Sequence, residues 1–253
     1  MILSSSTKRP KVHSSAYVAP TATIGGEVTV GAGCAILHGA VVVAEGAPIT
    51  IGSDTVVMEN AVLKASGGSA LQFPLRIGSR CIVGPQAYIV GATIGDGCFV
   101  ASGAKIFNGA TLEDGSGVAL GAIVHVNSRL RKDASVPMAH IALGDPAVVY
   151  PPEKAPELHA KINFFADVFN LEGADALRAR AAETYSKFLR KIHAQDSVLD
   201  EHRNVKPPPR RSGEEPPPTQ VAEVDKVVDV MMLELEEMEQ RRQAAIKRQK
   251  GGS

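Results

Sequence analysis

The chain has 253 residues, equal numbers of acidic and basic residues and hence no net charge, 4% aromatic residues and no tryptophan. Neutrality implies no polyanion and no anionic membrane surface as a partner. The scarcity of rings argues for a narrow interior lined by Val, Ile, Leu and Ala, in a chain long enough for one large domain or two small ones.

Residues 1–10 are polar, end in Lys8, Arg9 and Pro10, and read as a flexible arm. A register then starts in which an aliphatic residue recurs at about every sixth position: Val12, Val18, Ile24, Val30, Ile36 and Val42. The segment AEGAPI over 44–49 interrupts it, and it resumes at Ile51, Val57 and Leu63. An excursion from Ala65 to Arg76, with Gly67, Gly68 and Pro74, must loop outside the repeat, where binding groups tend to sit. Ile77, Val83 and Ile89 follow, and the beat is strongest from Ile94 through Val100, Ile106, Leu112, Val118, Val124, Leu130 and Val136.

A helix places apolar residues every three or four positions and a half-buried strand every second one, so a period of six needs another geometry. The residue four after each opener is usually small, as at Cys98, Ala104, Ala110, Ser116, Ala122 and Ala134. Each hexad therefore sends one large and one small group inward, and three such sides close a triangular coil. The twenty openers make about seven coils, stacked at roughly 4.8 Å into a prism on the order of 30 Å tall. The fold class expected is an all-β solenoid over 11–150. Cys34, Cys81 and Cys98 fall at the small inward position, and no CxxC pair accompanies them, so they read as buried inert thiols.

Past Val136 the pattern fades through an extended exit punctuated by Gly144, Pro146, Pro151 and Pro152. Residues 151–203 read as a helical flank. Leu158, Ile162, Phe165 and Val168 form one stripe, and Leu177, Ala181, Tyr185, Phe188, Leu189 and Ile192 a second, each placed to lie on the prism. Residues 204–218 are a Pro-rich, charged linker. Over 219–250, Val221, Val224, Val228, Met231, Leu235 and Met238 keep a heptad seam suited to a coiled coil or a protein partner. No apolar run approaches 18 residues and MILSSSTKRP has no hydrophobic signal core, so a cytoplasmic protein without membrane partners is expected. Basic residues form no sustained stripe before the last ten, which disfavours nucleic acid.

With APTATIGGEVTVG near its start and GDPA followed by helices at its end, the chain resembles the gamma-class carbonic anhydrase family over about residues 10–170. That resemblance implies a left-handed parallel β-helix and a homotrimer formed through its faces. AEGAPITIGSDTVVMENAVLKAS and CIVGPQAYIVGATIGDGCFVASGAKIFNGA resemble the metal-poor bacterial anhydrase-like and hexapeptide-repeat transferase proteins, and AEGAPITIG is also similar to the smaller pointed-end subunits of dynactin.

The family's enzymes hold zinc or iron with three histidines shared across the trimer interface. Laid on this register, those positions carry Lys64, Pro85 and Val90. The family's arginine falls at Val43, its intersubunit carboxylate near Glu45, and its glutamine at Met58. Proline and valine have no donor atom and lysine would have to lose its proton, so no metal and no metal-hydroxide chemistry are expected. His38 and His125 are the only histidines inside regular coils, and four to five coils separate them, on the order of 20 Å. The function expected is a non-catalytic oligomeric scaffold. The alternatives are an acyltransferase using acetyl-coenzyme A, with His125 beside Asn127 or else His38 as general base and Glu59 and Asn60 as polar contacts, and a dynactin-like subunit of a hetero-oligomer.

Overall fold

In a computed structural model, the structure describes residues 1–5, 8–67, 72–159 and 177–199. The linker at 204–218, the heptad helix at 219–250 and the apolar stripe beyond His159 lie outside the described residues.

The six-residue beat becomes a three-walled parallel β-helix of about seven coils, and each wall is one in-register ladder. In the first wall Ile24, Val42, Leu63, Ile89, Ile106, Val124 and Ala142 stack on one another. Val12, Val30, Ile51, Ile77, Ile94, Leu112 and Leu130 form the second column. Val18, Ile36, Val57, Val83, Val100, Val118 and Val136 form the third. Every opener apart from Val12 and Val18, both in the first coil, is buried. The strands are mostly two or three residues long, so no strand is stable alone, and the stack holds because each coil buries its neighbours' aliphatic groups.

The corner between the second and third walls explains the cysteines. The small inward position there carries Cys34, Thr55, Cys81, Cys98 and Ser116 in successive coils, and each donates to a carbonyl of the coil above: Gly52 at 2.8 Å, Gly78 at 2.9 Å, Gly95 at 3.1 Å, Glu113 at 3.3 Å and Arg131 at 3.1 Å. Thiols and hydroxyls fill one role, that of a compact donor in an apolar interior. The neighbouring Cys98 holds the Cys81 thiol below the usual thiol value, while Cys81 and burial push Cys98 up.

The ends of the first wall differ from expectation. Residues 2–5 are not a loose arm: Ile2–Ser5 is a strand paired in parallel with Thr23–Gly25. Backbone donors at the end of a ladder need partners, and this strand meets the first full coil while its far edge takes an antiparallel strand, Asp196–Leu199. The flank after 150 is thus not purely helical. Val148–Tyr150 turns back against Ile141–Leu143 at the other end, then α1 (Ala155–His159) and α2 (Leu177–Ile192) lead to Asp196–Leu199. In α2 the expected stripe faces inward, with Ala181 buried and Tyr185, Phe188, Leu189 and Ile192 half-buried. Among the described residues no helix is long and apolar enough to cross a membrane.

Burial, rather than protonation, shields the thiols, which are all about 1% exposed. An aqueous thiol reagent is expected to modify none of the three in the folded protein and all three after denaturation. Rapid labelling of Cys81 in native buffer would show that the corner is open.

Candidate functional site

The AEGAPI interruption is where the fold concentrates its polar chemistry. At Gly46 the chain takes φ +85°, and any Cβ there would strike the carbonyl oxygen of Gly67 in the next coil. That tight corner follows Ala44 and directs Glu45 toward α2, leaving it 7% exposed. Lys64, on the adjacent strand Val62–Gly67, places its Nζ 3.0 Å from Glu45 Oε2. The Tyr185 hydroxyl donates to the same oxygen at 3.2 Å. On the other side His193 Nε2 lies 3.7 Å from Glu45 Oε1, and His193 Nδ1 is 2.6 Å from Asp196 Oδ2. One buried carboxylate therefore joins the prism to the chain segment that runs from α2 into the terminal strand.

Burial pulls the Lys64 ammonium down, but the hydrogen bond and charge of Glu45 outweigh it, so the net displacement is upward. Burial also raises the Tyr185 phenol, with the Glu45 charge adding to it. Both groups hold their protons more tightly in the folded state than in the unfolded chain. The Lys64 contribution is complete below the ordinary lysine value of 10.5 and the Tyr185 contribution below the ordinary tyrosine value of 10.0, and each is lost as pH rises through its higher folded-state value.

The three expected ligand positions are brought near one another without forming a site. Lys64 and Val90 are register partners on neighbouring strands, and Pro85 precedes the strand Tyr88–Val90. Val90 is buried and Pro85 half-buried, and neither has an atom to offer an ion. Lys64 is committed to Glu45, so these residues do not fit a zinc or iron centre. Among the described residues no three His, Cys, Asp or Glu side chains are grouped to hold a metal. Val43 stands next to Lys64 in the ladder, and Met58 is half-buried after Val57.

The fold keeps the two candidate histidines apart. His38 is exposed before the strand Val41–Ala44, with Nδ1 2.9 Å from Thr21 Oγ1. His125 follows Ile123–Val124 four ladder steps away and packs beside Phe107, ring centroids 6.0 Å apart. Asn127 is an exposed left-handed corner residue, and Asn60 another, with Glu59 before it half-buried. Sequence reasoning placed a carboxylate near Glu45 but missed Tyr185, His193 and Asp196 as its surroundings. The interruption of the beat was the one signal pointing there.

No family model matches the chain, and no curated protein matches it. Among solved structures it is similar to a hexapeptide transferase family protein from Anaplasma phagocytophilum, at 18% identity over 77% of this chain and 98% of that one, TM-score 0.42. It is also similar to a UDP-N-acetylglucosamine acyltransferase of Francisella novicida, at 15% identity over 72% and 83%, TM-score 0.46. A third is a variant of GDP-perosamine N-acetyltransferase from Caulobacter crescentus in complex with CoA and GDP-perosamine, at 23% identity over 56% of each chain, TM-score 0.33.

Lys64→Met strands a buried carboxylate and is expected to lower stability by on the order of 2 kcal/mol, between the values typical of exposed and buried pairs. Lys64→Met combined with Glu45→Leu should recover most of that loss. Denaturant titrations of the two variants check both statements, and equal losses in the two would remove the pair from the account.

Proposed function

We propose that this chain is an oligomeric β-helix scaffold without metal-dependent hydration chemistry, self-associating through its third wall. The observation that carries the reading is the outer face of that wall. Tyr17 is 52% exposed, Ile82 42% and Phe99 51%, and all three occupy the position just before the opener, in one column. Ala35 and Val56 fill the coils between Tyr17 and Ile82, so the column is apolar over five successive coils. Leu120 and Met138, at the corner that leads to the first wall, are 51% and 62% exposed. Polar side chains on this stripe would serve a monomer better, and an apolar stripe of this length marks a contact surface.

A repeated straight face suits a second and third copy of the same prism, which supports the homotrimer that the gamma-anhydrase resemblance implies. The commitment of Lys64 to Glu45 supports the non-catalytic part of the reading. The heptad segment at 219–250 gives such an assembly a place for a protein partner, and the AEGAPITIG likeness to the small dynactin subunits suits a hetero-oligomeric setting.

Light scattering coupled to size exclusion tests the scaffold reading. The native chain is expected to run as a trimer, and Ile82→Glu with Phe99→Glu as a monomer with unchanged circular dichroism. A native chain that is monomeric at every concentration overturns it.

A second reading, acyl transfer from acetyl-coenzyme A, rests on His125. It is half-buried on the outer first wall, and its ring is backed by Phe107, which in turn lies 6.2 Å from Tyr88. An imidazole supported in this way can serve as a general base toward an acceptor hydroxyl or amine, with Glu59 and Asn60 near the Ala65–Arg76 excursion as polar contacts. Calorimetric titration with acetyl-coenzyme A is expected to show heat under this reading, abolished or weakened by His125→Ala. Absence of heat at high ligand concentration removes the transferase.

A further inference from the structure

The cluster around Glu45 contains one gap. Lys64 and Tyr185 both address Oε2, at 3.0 and 3.2 Å, and no described residue donates to Oε1. The atom that faces Oε1 is His193 Nε2, 3.7 Å away and beyond hydrogen-bond reach. At its other nitrogen the ring meets a second carboxylate, Nδ1 lying 2.6 Å from Asp196 Oδ2. An ionised carboxylate only accepts, so the hydrogen of the neutral imidazole sits on Nδ1 and leaves Nε2 a lone pair. Two acceptors therefore face each other with no donor between them.

Unanswered acceptors are costly where bulk water is largely excluded, and Glu45 is buried and His193 half-buried. An atom about 2.9 Å from both Oε1 and Nε2 can donate to each, provided it carries two hydrogens. That requirement rules out an alcohol hydroxyl or a backbone N–H and admits water, a primary amide or a primary ammonium. Charge favours the last. Glu45 and Asp196 bring two negative charges to the gap and Lys64 one positive, so the surroundings are net negative. The gap also adjoins a cleft of about 490 Å³, within the range of small-molecule sites. His193 lines that cleft, and Glu45 lies between two of its lining residues, Ala44 and Gly46. The other charged groups of the lining are Lys8 and Glu27, tied to each other at 2.7 Å, and Lys191, which is exposed on α2.

We propose that this cleft binds a small primary amine, its ammonium group seated between His193 Nε2 and Glu45 Oε1 and its body lying in the cleft. Asp196 acts here as a positioning residue: by accepting from Nδ1 it fixes the tautomer that turns a lone pair toward the ligand. Lys64 and Tyr185 hold Oε2 and so leave Oε1 to the ligand. The seat selects for N–H donors as well as for positive charge.

Calorimetric titration of the full-length protein with n-butylamine tests the seat, at about pH 8.5, above the range in which imidazoles ordinarily titrate. Saturable binding is expected. Tetramethylammonium, which carries the charge without an N–H, should bind at least about tenfold more weakly at the same ionic strength, the effect of losing a charge-assisted hydrogen bond. His193→Phe removes one acceptor and should weaken n-butylamine by about the same factor. Absence of saturable binding in the native chain overturns the proposal, as does equal affinity for the two cations or unchanged affinity in His193→Phe. Should that variant lose its native circular dichroism, Ala194→Trp, at an exposed position of the cleft lining, obstructs the cleft and is held to the same comparison.

Discussion

In-register stacking of one branched aliphatic residue per wall per coil is the constraint from which the rest of this structure follows. Three walls of two- or three-residue strands enclose a space that accepts Val, Ile or Leu at the opener and Ala, Ser, Thr or Cys near each corner. No wall has a hydrophobic face independent of the other two. Burial of any opener depends on the coil above and the coil below, which spreads the stabilisation along the prism. The compact donors at Cys34, Thr55, Cys81, Cys98 and Ser116 show the same constraint acting on polar atoms: a group small enough for the corner must also satisfy a carbonyl there.

The solenoid was legible because its signal repeats. Ile94 to Val136 alone fixes period, wall assignment and inward faces, and each of those openers stacks where the beat puts it. The stripe through Ala181, Tyr185 and Phe188 was legible for a related reason, since one helical face carries its own periodicity. Ile2–Ser5 and Asp196–Leu199 were not. They pair with each other although 193 positions separate Ser4 from Ser197, and four residues of either contain no pattern that names so distant a partner. His193 and Asp196 stayed hidden likewise, because their meaning depends on Glu45, which lies beyond a long stretch of prism.

Of the positions compared with metal ligands, Lys64 and Val90 are partners on adjacent strands of one wall and Pro85 sits in a turn; Lys64 answers a carboxylate of its own chain and Val90 is packed away. This place in the prism holds an ionic cluster that ties Glu45 and Lys64 to Tyr185 and to the segment running from α2 into Asp196–Leu199. The exposed apolar column of Tyr17, Ile82 and Phe99 lies on another wall, so the ionic cluster and the apolar column occupy separate parts of the prism.

A distance measurement between spin labels at Thr29→Cys and Arg129→Cys tests the prism most directly. Both side chains are exposed on the second wall, in one column through Thr50, Arg76, Thr93 and Thr111. Five ladder steps at roughly 4.8 Å predict a single narrow distribution with a backbone separation of about 24 Å for residues far apart in sequence. A broad distribution, or one centred well away from that separation, contradicts the stacked coils on which every other statement rests.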